Sequence, residues 1–261
     1  MILIYAQGLN MNKTLPYLLT TISCFVSSYA HSESWDLKIE PYLMFTNIDG
    51  DSTIGTVDTP LEVNFDTILN NLDSGFMLRG EAFHESHWGL MFDWAFMDLS
   101  KSLSQPALGV LDARVRQGVL EVSVAYKQSS PSLGEWINYV GLRRWDNSYE
   151  FNLEPNRLPS TSLVDRDEDW VDLILGFKVD KQLADNWLFT SSGDIGGFGL
   201  SAKLTASLKL GVSYKFSDHW DVSALYKGTY VNYHTGDEDD KSYFEYKTIT
   251  HGPIISASYQ F

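Results

Sequence analysis

Charged side chains recur at every second position of several otherwise apolar stretches of this sequence. Acids and bases both occur among them, so they could pair with one another or line a narrow path for ions or small solutes. Arg143 and Asp172 fall on neighbouring predicted strands, and we predict that they form a direct pair. The alternating charged positions are Asp36, Lys38, Glu40, Arg79, Glu81, Asp93, Glu121, Arg143, Asp172, Lys178, Asp194, Lys209 and Lys227.

Histidine supplies the second kind of candidate chemistry, because a hydrolase needs a base beside its nucleophile or its activated water. His234 is followed by Asp237, Glu238, Asp239 and Asp240, which is the grouping that most resembles a protease or metal site. A solvated acidic loop is the simpler interpretation of the same residues. The other histidines of the chain after its first thirty residues are His31, His84, His87, His219 and His251.

Calcium ligands are suggested by Asp49 and Asp51, which flank Gly50. The twelve-residue calcium loop with its closing glutamate is absent from this segment. We therefore assign no catalytic, cofactor or metal site, and we predict that the protein is not an enzyme.

The elements that must position these residues are long strands. Leu204 to Phe216 alternates apolar and mainly polar residues over thirteen positions, and Trp88 to Phe96 carries an aromatic residue or leucine at every even position. The last stretch, Ile249 to Phe261, alternates in the same way. A strand of about ten residues with one apolar face matches the length needed to cross an outer membrane.

The first thirty residues differ from the rest and are predicted to be a cleaved signal peptide. Lys13 is their only charge, and Leu15 to Ser28 is an apolar run too short to span a bilayer. Small residues at Ser28 and Ala30 predict a mature start at His31, with translation beginning at Met1 or Met11. Cys24, the sole cysteine, lies inside this segment, so the predicted domain of residues 31–261 has none.

Turns and loops alternate along residues 31–261 as they do in an outer-membrane barrel. Short polar turns are predicted at 84–87, 129–134, 181–186 and 217–219. Longer outer loops are predicted at 47–74, 100–109, 146–169, 194–201 and 235–242. Five loops and four turns predict an all-β, antiparallel up-and-down transmembrane barrel of about ten strands, with eight or twelve as alternatives.

Aromatic residues and net charge support this fold class over a soluble sandwich or a lipocalin-like barrel. Trp88, Trp136, Trp187 and Trp220 each come just after a predicted inner turn, where a barrel places its interfacial aromatics. The formal charge of −15 excludes nucleic acid as a partner, because no basic stripe is available for phosphates. The alternating charges then face an enclosed lumen.

Phe65, Ile68, Leu69 and Leu72 have helical spacing inside the first predicted outer loop. Two structures fit this pattern. The segment is either a short helix that folds back to cap the barrel mouth, or an irregular loop whose apolar side chains pack on neighbouring loops.

Several stretches resemble a family of uncharacterised Gram-negative outer-membrane β-barrel proteins. They are VNFDTILNNLDSGFM (63–77), WGLMFDWAFMDL (88–99), GLRRWD (141–146), WVDLILGFK (170–178) and GDIGGFG (193–199). The ending SASYQF, with Tyr259 and Phe261, resembles the signal read by the barrel assembly machinery. The resemblance implies a fold and a location in the cell outer membrane, and it carries over no catalytic residue.

Three functions remain open from the sequence. The first is a non-enzymatic barrel with a structural or surface-interaction role, whose lumenal polar cluster comprises Glu81, Asp93, Glu121, Arg143, Asp172, Lys178 and Asp194. The second is a narrow channel for ions or small solutes, and the third is a surface hydrolase that uses His234. The expected partners are outer-membrane lipid, lipopolysaccharide at Arg114 and Arg116, and the assembly machinery; no cofactor is expected.

Overall fold

A computed structural model describes residues 34–105, 109–131, 134–155, 161–238, 240 and 242–261. The predicted signal peptide and its cleavage site lie outside these residues. Within the described ranges, no helix is both long enough and apolar enough to cross a membrane.

The chain forms twelve antiparallel strands and one short helix among the described residues. The helix, α1, is Phe65–Asn70. The strands are β1 (Trp35–Met44), β2 (Asn47–Ile54), β3 (Val57–Val63), β4 (Leu72–His84), β5 (Trp88–Gln105), β6 (Gly109–Ser130), β7 (Gly134–Glu154), β8 (Thr161–Ala184), β9 (Trp187–Gly196), β10 (Leu204–Lys215), β11 (Trp220–Thr235) and β12 (Phe244–Gln260).

Ten of these strands close into a barrel, which confirms the predicted fold class and the predicted strand number. Sequential strands pair from β4 to β12, β1 pairs with β4, and β1 also pairs with β12. In the closing pair Lys38 lies opposite Gln260 and Met44 lies opposite Ile254. Closure leaves no unpaired strand edge in this part of the wall, as an apolar surrounding requires.

The two additional strands form a hairpin at the outer end of the barrel, defined as the end away from the short turns. β2 continues the direction of β1 after an interruption at Phe45 and Thr46, and it pairs with the outer half of β12. β3 folds back on β2. β12 therefore pairs with β1 along its inner half and with β2 along its outer half.

Helix α1 connects the hairpin to β4. Asn64 caps it, because the side-chain oxygen accepts from the backbone N–H of Thr67 at 2.9 Å. The amide of Phe65 donates to Asn47 Oδ1, and the carbonyl of Asn71 accepts from Ser100 on β5. Of the two structures that fit the sequence pattern, the helix is the one present, and hydrogen bonds join its ends to β2 and β5.

The outer loops predicted at 194–201 and 235–242 fall close to the gaps between β9 and β10 and between β11 and β12, but those predicted at 47–74, 100–109 and 146–169 consist mostly of regular structure among the described residues. Segment 146–169 was expected to be a loop, but β7 continues to Glu154 and β8 begins at Thr161. Segment 100–109 is likewise mostly strand, since β5 runs to Gln105. At about 3.3 Å per residue, the 24 residues of β8 extend far beyond the roughly ten that cross the apolar band.

The outward apolar faces form a continuous belt around the inner half of the barrel. On β5 the belt runs from Trp88 to Phe96, and the next outward residue is Asp98. At the inner edge Trp88 packs against Tyr126, Trp187 against Tyr214 and Trp220 against Tyr259, with ring centroids 4.9–5.0 Å apart. An apolar belt with aromatic rings along its edge is the surface that a barrel embedded in lipid requires, and we call these rings the aromatic girdle.

Candidate functional site in the barrel lumen

The centre of the lumen, at the level of the lipid belt, is filled by charged side chains, most of which are paired. We call this set the central charge cluster: Glu40, Arg79, Asp93, Glu121, Arg143, Asp194, Lys209 and Lys227. Arg143 is its most buried member, with a side-chain exposure of 1%. Its Nε donates to Glu121 Oε1 and its Nη2 donates to Asp194 Oδ1, both at 2.9 Å.

Arg79 organises the opposite side of the same cluster. Its Nη1 donates to Glu40 at 3.2 Å, and its Nε lies 3.4 Å from Asp93. The guanidinium also lies over the ring of Tyr42, 4.2 Å from the centroid, while the Tyr42 hydroxyl donates to Asp93 at 2.7 Å. Lys227 approaches Asp93 and Glu121 at 3.9 and 4.0 Å and so joins the two sides.

Little free space remains between these side chains. The cavities lined by members of the central charge cluster have volumes of about 80 and 60 Å³. A cavity of that size holds a few water molecules at most. The interleaved acids and bases therefore act as a packed ionic core.

The inner end of the lumen is wider. A cavity of about 450 Å³ is lined by charged side chains that include Asp36, Lys38 and Lys178. Lys178 donates to Glu81 at 2.6 Å and lies 3.1 Å from Asp180. Lys38 pairs with Asp221 at 3.1 Å.

Arg143 and Asp172 do not form the ion pair that the sequence analysis predicted. They lie directly opposite each other in the β7–β8 register, and both are buried. The Arg143 guanidinium donates to Glu121 and Asp194 instead. Asp172 accepts from the Trp170 indole at 3.1 Å and from the backbone N–H of Ala202 at 3.0 Å. The other members of the predicted lumenal polar cluster do face the lumen.

A layer of stacked aromatic rings covers the central charge cluster on its outer side. Trp145 stacks on Trp170 with centroids 5.6 Å apart, and Trp170 stacks on Tyr233 at 3.9 Å with an interplanar angle of 5°. Phe244 and Tyr246 complete this buried group. The turn after β9 enters the same layer, because Gly197 adopts a φ of 85° and Ala202 becomes fully buried.

This aromatic layer was not predicted, because the assignment of segment 146–169 to a loop ended the analysis of the alternation at Trp145 on one side and Trp170 on the other. The signal was present in the continued alternation of β7, where Trp145, Asn147, Tyr149 and Phe151 face inward while the residues between them face outward. Above the belt, the inward face is the apolar one.

Two arginines predicted to meet lipopolysaccharide lie outside the barrel, just above the belt. Arg114 donates from Nε and Nη2 to both carboxylate oxygens of Asp98, at 2.9 and 2.6 Å. This bidentate bond holds the pKa of Asp98 below its usual range, and it raises the pKa of Arg114. Arg116 donates to Glu150 at 2.8 Å and to Ser148 at 3.1 Å. The side chains of Arg114 and Arg116 remain nearly half exposed.

The remaining predicted chemical groups lie apart from the lumen. His234 is exposed near the outer end of β11, opposite Glu245 on β12. Asp49 and Asp51 belong to the regular strand β2, and Asp49 lies 2.8 Å from His251 Nε2. Among the described residues, no three His, Cys, Asp or Glu side chains are grouped so that they could hold a metal ion.

Tyr259 and Phe261 lie on the outside of the barrel at its closing seam. Their rings pack edge to face with centroids 4.8 Å apart. The amide of Phe261 donates to the carbonyl of Leu37 and extends the β12–β1 ladder by one step.

Solved structures with the same fold are outer-membrane barrels. The translocator domain of the autotransporter NalP from Neisseria meningitidis matches with a TM-score of 0.50 and 13% identity, over 95% of this chain and 96% of that one. The outer membrane protease OmpT from Escherichia coli matches with a TM-score of 0.50 and 8% identity, over 88% and 98%. No protein-family model and no curated protein sequence matches the chain.

At these identities the likeness establishes the fold alone. The lipid belt, the aromatic girdle and the closed ten-stranded wall define an integral β-barrel. The protein is an outer-membrane β-barrel protein of the Gram-negative type.

Proposed function

We propose that this protein is a non-enzymatic, non-conducting barrel that acts at the cell surface through its outer half. The observation that carries the proposal is the filled lumen, in which the central charge cluster lies directly beneath the stacked rings of Trp145, Trp170 and Tyr233. A solute passing through the barrel would have to displace both layers. Charged rings support conduction when they surround open water, and here they are bonded to one another.

The outer wall provides the surface for such a role. Strands β5 to β8 have 18, 22, 21 and 24 residues, so roughly half of each stands above the lipid belt. Asp167, Asp169, Glu150 and Arg144 are among the outward charges on this wall. A rigid, charged sheet held above the membrane can present a fixed pattern of side chains to a partner.

Planar-bilayer recording tests the sealed lumen. The wild-type protein is expected to give no discrete conductance steps, whereas the variant Trp145→Ala, Trp170→Ala, Tyr233→Ala, Arg143→Ala should open both the aromatic layer and the central charge cluster and give steps. The lipid-facing Trp94→Ala serves as the matched control and should remain silent. Wild-type steps that change with Arg143→Gln or Asp172→Asn would instead establish a narrow channel.

We also propose that lipopolysaccharide phosphates bind beside Arg114, Arg116 and Arg144, which face outward just above the belt. All three side chains are about half exposed, at 47%, 42% and 55%. Arginine forms directed hydrogen bonds with phosphate oxygens. Arg114 uses Nε and Nη2 for its two bonds to Asp98, so Nη1 is the nitrogen that can donate to a phosphate. Co-purified lipopolysaccharide should decrease in an Arg114→Gln, Arg116→Gln variant, but not in the lumenal variant Arg79→Gln.

The barrel assembly machinery is the proposed partner during insertion, through Tyr259 and Phe261. Both rings face outward at the seam that closes the barrel, where they are accessible before closure. Phe261→Ala should slow the appearance of the heat-modifiable folded form in cells without changing its final stability. An equal rate for wild type and variant would contradict this.

The non-enzymatic proposal has its own test at His234. His234→Ala should leave the binding properties and the fold unchanged, because the ring is exposed and no hydrogen bond or ion pair of its side chain is found among the described residues. Turnover of a peptide or lipid substrate by the wild type that His234→Ala abolishes would overturn the proposal.

A further inference from the structure

An apolar cavity of about 400 Å³ lies at the outer end of the barrel, above the aromatic layer. One side of it is the inward face of the β2–β3 hairpin, with Ile48, Ile54, Leu61 and Val63. The other side is the inner wall of β5 to β8, which contributes Val115 and Phe151 among others. A volume between 300 and 1,000 Å³ with an apolar lining is typical of small-molecule sites.

The β2–β3 hairpin is amphipathic, and its apolar face is the one that lines the cavity. The residues that face the cavity are apolar or neutral, while Asp49, Asp51, Asp58 and Glu62 lie at the alternate positions of the two strands. A hairpin that served only as a hydrated surface loop would not need an apolar inner face. Here two apolar surfaces face each other across a space that no described side chain fills.

The surface of the cavity is mainly apolar, although Ser52, Thr59, Thr67, Asn71 and Ser100 also line it. Gln117 and Tyr246 lie at its inner end and satisfy each other, since Gln117 Nε2 donates to the Tyr246 hydroxyl at 3.1 Å. Among the described residues, Lys101 is the one charged residue that lines the cavity, and its side chain is exposed toward the outer end of β5. The site therefore has an apolar body and a single positive charge near its opening.

We propose that this cavity binds an anionic single-chain amphiphile of the fatty-acid type, with about ten to twelve carbons inside and the carboxylate at Lys101. The apolar lining accounts for the chain, and the lone lysine accounts for the sign of the head group. The proposal is independent of whether the lumen conducts, because the site lies outside the central charge cluster and the aromatic layer.

Equilibrium dialysis of radiolabelled dodecanoate against the protein in nanodiscs tests the proposal, with the uptake of empty nanodiscs subtracted. We expect one additional dodecanoate per barrel, and octanoate should bind more weakly by about fourfold per missing methylene. Val115→Trp and Ala113→Phe should each place a ring in the cavity, shorten the space available to the chain and strongly reduce the additional binding. Leu120→Trp, a lipid-facing change on the same strand, is the matched control and should bind as the wild type does.

The head group is tested separately with Lys101→Glu, which should weaken dodecanoate binding by at least about fivefold while leaving dodecanol binding unchanged. Lys247→Glu makes the same charge change on the outward face of β12 and should have little effect. Heat-modifiable gel mobility verifies that each variant is folded. Equal dodecanoate uptake by wild type and by folded Val115→Trp would overturn the site, and preference for dodecyltrimethylammonium over dodecanoate would overturn its proposed charge.

Discussion

The inner and outer halves of the same strands have opposite polarity, although one uninterrupted alternation runs through both. Along β7, Leu142 and Val140 face lipid while Arg143 faces the lumen; a few residues further out, Asp146 faces water while Tyr149 faces inward. The inversion falls between Arg143 and Trp145. A period-two pattern therefore fixes which residues share a face, but the solvent outside the wall decides which face is apolar.

The largest expected difference in the free energy of unfolding is between alanine variants of the two consecutive arginines of β7, one buried and one exposed. Arg143→Ala should lower the free energy of unfolding by about 3–5 kcal/mol, because Glu121 and Asp194 would remain buried without their partner. Arg144→Ala should cost less than about 1 kcal/mol, since its nearest acid is 3.7 Å away on an exposed surface. Urea unfolding of each protein in lipid vesicles measures both, and equal losses would contradict the assignment of faces.

The outer half has its own buried core, which Trp170→Ala should disrupt. Loss of the ring that stacks on both Trp145 and Tyr233 is expected to cost about 3–5 kcal/mol, as for other large-to-small core changes. Trp94→Ala removes an equal side chain from the lipid face, which lipid tails can refill, and should cost much less. The same unfolding assay compares the two. A larger loss for Trp94→Ala would show that the outer half lacks a rigid core.

An arginine placed on the outward face locates the level at which polarity inverts. Val122→Arg, in the middle of the belt on β6, should destabilise the barrel by about 2–4 kcal/mol. Asn152→Arg, outward on the extended part of β7, should change stability by less than about 0.5 kcal/mol. Leu120→Arg on β6 and Ser148→Arg on β7 should give intermediate losses of stability, which would locate the edge of the lipid belt. Equal losses at all four positions would show that the whole wall lies in lipid.

The smallest effect concerns the Asp98–Arg114 pair just above the belt. Because the folded-state pKa of Asp98 lies below its unfolded value, the pair stabilises the fold above about pH 4 and loses that contribution as the pH falls through the lower, folded value. Arg114→Gln should therefore lower the thermal midpoint at pH 7 but not at pH 2, by the small amount expected for an exposed pair. A decrease of the same size at both pH values would show that the pair makes no electrostatic contribution.

Sequence periodicity was sufficient to predict the part of the fold that contacts lipid. The belt on β5 and the tryptophans that open strands after inner turns follow directly from Trp88 to Phe96 and from Trp187 and Trp220. It was insufficient where polar outward residues resembled a loop, as at Ser148 and Glu150. The hairpin was also missed, because residues 47–74 were assigned as a whole to an outer loop.

The arrangement inside the lumen depended on information that alternation does not contain. The sequence identified Arg143, Glu121 and Asp194 as inward residues, yet it paired Arg143 with Asp172 because those two lie on neighbouring strands. Glu121 instead lies directly opposite Arg143 on the adjacent strand β6, and the curvature of the wall brings Asp194 on β9 within reach of the same guanidinium. Partners across a lumen depend on barrel radius and strand tilt, which are properties of the closed sheet as a whole.

The divided pairing of β12 has a consequence for how the molecule is made. One continuous segment must anneal to two separate earlier segments, β1 and β2, and the side-chain contact between Gln260 and Asp36 joins positions 224 residues apart. Contacts that distant form slowly, because the entropy of closing so long a chain is lost before the contact contributes energy. The hairpin should thus remain unanchored until the ring closes, so that its immobilisation would report completed maturation of the barrel.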